Sequence, residues 1–304
     1  NHTLLEGVTN VDHQSNRPVI LYLNGDYWGI LNLTEKIDEH YINEHYPSVD
    51  KDEIDLLYSN AEVKKGDADN YNDMIDFITN NSLSQQSNYN YIKTQIEIRD
   101  FIDYFQTRIY YASTDWPHKN IYYWRPKDLS MKWRWIMWDT DRSDLLSRDP
   151  SRMCDVDDNT LAWATTSSSN PWARFLLNNL LLSSEFKAQF ISQYANHMNF
   201  TFCPNRTDSV LDVFRDRLHD ELPAHITRWK NSNDTLDYYT AGYYQSRSQW
   251  NIEVDTIEYF FDNRAQHMRQ FLMQQFSISG TSELTLNKVP PQGGSIEIDS
   301  FTVP

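Results

Sequence analysis

The stretch from Tyr91 to Asp141 constrains this chain more than any other. Between Tyr91 and Ser113, the residues Ile92, Ile96, Phe101, Ile102, Phe105, Ile109 and Tyr110 return at three- and four-residue intervals. That is the period of an amphipathic helix whose apolar stripe faces a core. A break or cap is expected near Asp100. The helix runs out into Asp115-Trp116-Pro117-His118-Lys119-Asn120, followed by a strand at Ile121–Trp124, a turn at Pro126-Lys127-Asp128 and a second strand over 132–138, which ends in Asp139-Thr140-Asp141. A core helix feeding a loop and an antiparallel hairpin predicts an α+β architecture.

A second hairpin is legible upstream. Residues 17–37 read as two apolar strands joined at Asn24-Gly25, the dipeptide best suited to the positive φ angles of a tight type I′ turn. Asp38 can cap a short helix that Pro47 follows, residues Ile54–Tyr58 suit a short strand, and Asp69–Asn80 carries Tyr71, Met74, Ile75 and Ile78 at helical spacing. Residues 144–171, rich in Ser, Thr, Asp and Asn, predict a long surface loop. Helical patterning returns from Pro171 to Phe276. Beyond Gly280 the pattern changes to that of a β segment or linker towards a following domain, which divides the chain into 1–279 and 280–304.

Composition excludes several classes. Eight glycines against ten tryptophans and nineteen tyrosines rule out collagen-like and low-complexity chains. A net charge of -16 with no basic stripe argues against nucleic acid as a partner and favours one that gathers cations around carboxylates. No apolar run is long enough for a membrane span. This balance suits a secreted or cell-surface protein. The two cysteines, Cys154 and Cys203, are too far apart for a CxxC motif; one disulfide and two packed thiols both fit. The tryptophans at 116, 124, 133, 135 and 138 invite a sugar-stacking reading. However, the alternation Trp133-Arg134-Trp135 is that of a strand with one face in the core.

The order of polar residues carries the chemistry. An Asp at the end of a buried helix, an Asn five positions later and an Asp closing the following hairpin is the order that kinase-like phosphoryl transfer requires. The first positions the acceptor hydroxyl, the second holds a metal from the same loop, and the third brings a carboxylate to metal on the triphosphate. Asp115, Asn120 and Asp139 fill those places, and carboxylate oxygens suit Mg2+ or Mn2+. The stretch Glu35-Lys36-Ile37, after the upstream hairpin, would be an extended hinge whose backbone groups meet adenine. His118 and Lys119 read as ordinary loop residues.

With these blocks in view, the chain resembles the CotH kinases. YLNGDYWGILNLTEKID is similar to that family's hairpin and hinge, DWPHKN to its Asp-x4-Asn catalytic loop, and WRWIMWDTD to its Trp-Asp-x-Asp metal-binding block. The resemblance implies an atypical protein-kinase-like fold with a small, partly missing β lobe and a larger, mostly helical lobe. It also implies ATP and a divalent metal as cofactors, and phosphorylation of a Ser or Thr hydroxyl on a secreted or surface protein. By the same resemblance Asp115 is the catalytic aspartate, Asn120 and Asp139 bind metal with Asp141 beside them, and Glu35, Lys36 and Ile37 contact the nucleotide. The family's upstream strands, with an Arg-Gly loop and a lysine for the α- and β-phosphates, have no counterpart before Arg17, and Lys36 would face the adenine end. A non-catalytic surface module that binds a protein or glycan is therefore the competing expectation.

Overall fold

The computed structural model describes residues 1–144, 155–166, 170–230, 244–286, 296–298 and 301–303. A short strand β1 (Asp12–His13) precedes the upstream hairpin, formed by β2 (Asn16–Leu23) and β3 (Asp26–Thr34). Asn24 and Gly25 both take positive φ, 53° and 90°, as the two-residue turn demands. Asp38 caps α1 (Glu39–His45), its carboxylate accepting from the amides of His40 and Tyr41 at 3.0 and 3.2 Å. Next come β4 (Ile54–Tyr58), β5 (Glu62–Lys65) and α2 (Asp69–Asn80), the first and last at their expected bounds.

The expected long helix is two helices, α3 (Gln86–Gln95) and α4 (Ile98–Tyr110). The interruption falls at Ile96-Glu97 rather than at Asp100, because the chain there pairs as a strand. The Trp133 amide donates to Gln95 O (2.8 Å), and the Glu97 amide donates to Trp133 O (3.0 Å). Asp100 is instead buried in the first turn of α4 and accepts from the Trp135 amide at 2.7 Å.

The strands β6 (Tyr122–Pro126) and β7 (Arg134–Met137) form the downstream hairpin. They join a mixed five-stranded sheet of order β1-β7-β6-β4-β5, in which only β1 and β7 run parallel. Both faces are covered. Ile54, Leu56, Trp124 and Ile136 pack with Tyr41 and Ile42 of α1, whereas Leu57, Tyr123, Trp135 and Met137 join the main core around α4. Alternation along a pleated strand thus feeds two cores. Trp116, Trp124, Trp133 and Trp135 are all buried, so they build the core and offer no sugar-stacking row.

The helical half contains α5 (Thr160–Thr166), α6 (Pro171–Leu180), α7 (Ser184–Asn196) with a π-helical turn at His197–Thr201, α8 (Pro204–His219), α9 (Leu222–Trp229) and α10 (Arg247–Phe276). The helix α5 lies inside the stretch expected to be loop, since its buried Leu161 and Ala164 find a place in the main core. A small hairpin, β8 (Ile296–Ile298) and β9 (Phe301–Val303), follows the helices. Cys154 lies outside the described residues, as does most of the expected loop before α5; the half-buried Cys203 thiol points at Phe200 O (3.4 Å). No helix of the described residues is long and apolar enough to cross a membrane. The whole is an α+β, kinase-like fold.

Candidate functional site

Two antiparallel zippers bring the site together. In the first, β6 and β7 pair with Tyr122 opposite Ile136, and that register carried outwards sets Asn120 beside the end of β7. In the second, the chain after β7 pairs back onto the end of α4. The Thr114 amide donates to Arg142 O (3.1 Å), the Asp144 amide donates to Tyr111 O (3.0 Å), and the Ser113 and Ser143 hydroxyls bond at 2.9 Å. Together they enclose the loop 115–120 and place Asp115 next to Asp139 and Asp141.

The ligand oxygens of Asp115, Asp139 and Asp141 lie within 4.8 Å of one another. Asn120, buried, donates from Nδ2 to Asp115 Oδ2 at 2.8 Å; its Oδ1 is the atom with lone pairs for a cation. Asn120 and Asp139 both sit in the left-handed backbone region, with φ of 57° and 48°. Such a conformation costs an L-residue on the order of 1 kcal/mol, least for Asn and Asp, and is concentrated at functional sites. The loop is braced from outside by the Trp163 indole of α5, which donates to Trp116 O (2.8 Å), and by the Ser59 amide, which donates to Ile121 O (2.8 Å).

The electrostatics are those of carboxylates crowded together. Burial raises Asp115 above the usual carboxylate range; the nearby Arg108 opposes the shift and the Asp141 charge adds to it. Asp139 is pushed up to about 7, first by burial, then by a hydrogen bond with Asp141 and by the charges of Asp141 and Asp115. Three converging carboxylates repel one another unless a proton or a cation lies between them. Their all-oxygen donor set, with the Asn120 amide beside it, fits a hard divalent ion such as Mg2+ or Mn2+.

The remaining predicted residues are not part of this cluster. Glu35, Lys36 and Ile37 connect β3 to α1. The Glu35 amide donates to Ser15 O (3.0 Å), its carbonyl accepts from Gln14 Nε2, and its carboxylate accepts from the Ser15 amide (2.8 Å) and contacts His45 Nε2 (3.2 Å). Lys36 is 85% exposed and pairs with Asp38 at 3.1 Å. Ile37 is buried on the α1 face of the sheet. Sequence reasoning missed Arg108, fully buried on α4, which donates to Asp139 O (2.8 Å), Asn120 O (3.0 Å) and Trp138 O. Its only sequence signal was a charge next to the apolar Ile109-Tyr110 pair, and Arg99, Asp100 and Asp103 on the same helix do not distinguish it.

The helix α4 ends at Tyr110, so Asp115 stands in the turn that follows it and not, as expected, at the helix end. That turn, a loop closed by Asn120 and a hairpin that returns Asp139 to the same point define a kinase-like domain. The family model described as CotH kinase protein matches residues 3–268, and the chain belongs to that family. A comparison with curated proteins found no match.

Proposed function

We propose that this domain transfers the γ-phosphoryl group of ATP to a Ser or Thr hydroxyl of a secreted or surface protein. The observation that carries the reading is the convergence of Asp115, Asp139 and Asp141 with the Asn120 amide. Asp139 and Asp141, together with Asn120 Oδ1, would hold the divalent cation. When bound, that cation would neutralise and align the phosphate oxygens. Asp115 stands beside them with a carboxylate raised by burial, which suits a group that orients an acceptor hydroxyl and takes its proton. The Asn120 hydrogen bond fixes Asp115 Oδ2, leaving Oδ1 for the acceptor. Few other groups are required, because phosphoryl transfer depends mainly on position and charge neutralisation.

Incubation with labelled ATP and Mn2+, with and without added Ser/Thr-rich acceptor protein, tests the reading. Label incorporation is expected in the parent and lost in Asp115→Ala and Asp139→Ala. Equal labelling in the variants, or none in the parent at any metal concentration, would reject it.

A further inference from the structure

Resting on the metal site of that reading, we infer that Arg108 is the positioning residue that makes the cation site, by tying both of its arms to one guanidinium. The two arms, the loop at Asn120 and the strand end at Trp138-Asp139, are joined by no described backbone hydrogen bond beyond the Tyr122–Ile136 register. Arg108 bridges them. Nη2 donates to Asn120 O (3.0 Å) and to Trp138 O, and Nη1 donates to Asp139 O (2.8 Å). The Tyr104 hydroxyl, one turn earlier on α4, donates to the same Asn120 O at 3.0 Å.

Two of the three receiving carbonyls belong to the left-handed residues Asn120 and Asp139, whose backbone is unfavourable by itself. A planar fork with several donors is the group that can satisfy three carbonyls from one stem, whereas an ammonium of similar charge cannot match their spacing. The described hydrogen bonds of Arg108 go to backbone carbonyls and not to a ligand carboxylate; it positions the ligand residues through their backbone, and its charge favours the ionised form of Asp115 and Asp139. Arg264 of α10 provides a comparison. It is equally buried and donates to the carbonyls of Ile109, Tyr110, Val156 and Asp158 at 2.7–3.0 Å, but to no residue of the cation site.

Mn2+ binding to the whole chain, followed by electron paramagnetic resonance well below the melting temperature, is the test. Arg108→Lys should weaken Mn2+ at least roughly tenfold, the effect of losing the support behind a metal ligand, and its phosphotransferase activity should recover as Mn2+ is raised. Arg264→Lys should lower the melting temperature but leave Mn2+ affinity within about twofold of the parent. If Arg108→Lys does not fold, Tyr104→Phe, which removes a single donor from Asn120 O, should still weaken Mn2+ measurably. Parent-like affinity in Arg108→Lys overturns the inference while leaving the catalytic reading intact, and so does parent-like affinity in Tyr104→Phe where it stands in for an unfolded lysine variant. An equal loss in Arg264→Lys overturns it as well, since the effect would then be general. A parent that binds no Mn2+ removes the reading and the inference together.

Discussion

Asp139 carries the clearest consequence at the scale of one residue. Its carboxyl is raised to about 7 in the folded chain, so between the ordinary carboxylate range and neutrality the native state holds a proton that the unfolded chain has released. Stability from this group is therefore full at acid pH and is lost as pH rises towards 7. The metal acts in the opposite sense, because it needs the ionised carboxylate and binds better as the proton leaves. Without divalent ions, the melting temperature should include a component that falls from about pH 4 to about pH 7. Asp139→Asn should reduce that fall and, at the upper end and in chelator, melt above the parent. Added Mn2+ should raise the parent and have little effect on the variant. Calorimetry across pH with and without Mn2+ would show this; a variant melting below the parent in chelator at the alkaline end would contradict the crowding account.

Among the elements, the β2–β3 ribbon depends most on one contact. It belongs to no larger sheet among the described strands, and a two-stranded ribbon is marginal without a surface beneath it. The helix α9 supplies that surface. The Ile30 amide donates to His225 Nδ1 (3.0 Å), the Trp229 indole donates to Trp28 O (2.8 Å), and the Arg228 guanidinium lies 4.8 Å over the Trp28 ring. The approach is possible because residue 29 is glycine, at φ 125°; a Cβ there would lie 2.7 Å from His225 Nδ1 and 2.8 Å from Trp229 Nε1. Gly29→Ala should therefore cost roughly 1–3 kcal/mol, the range for overpacking, and urea unfolding followed by tryptophan fluorescence would measure it. An unchanged midpoint would show that the ribbon does not need α9. This docking was not legible in the sequence, although the hairpin itself was, because Asn24-Gly25 is a local signal and a helix about 195 positions away is not. The same division holds at the site. Asp115, Asn120 and Asp139 were readable as an ordered set since loop and hairpin punctuation is local. The break at Ile96-Glu97, the helix α5 and the role of Arg108 each depend on a partner supplied by another segment.

For the whole molecule, the question is whether site occupancy is felt by the fold. The cluster is formed by the turn after α4, the start of β6 and the end of β7, and all three are rooted in the main core through Phe105, Ile109, Tyr123, Trp135 and Met137. Unfolding of that core cannot leave Asp115, Asp139 and Asp141 together, so a ligand of the cluster binds the native state alone and stabilises it by mass action. ATP with Mn2+ at about 100 times its dissociation constant should add about 2.7 kcal/mol, a rise on the order of 5 °C for a chain of this size. Mn2+ without nucleotide should give part of the rise. Asp139→Ala should give none, whereas Gly29→Ala, remote from the cluster, should keep the full increment from a lower starting point. A flat melting curve for the parent in saturating ATP and Mn2+ would mean that the fold is kept without the phosphate chemistry, and would turn the reading towards a surface module that binds a protein or glycan.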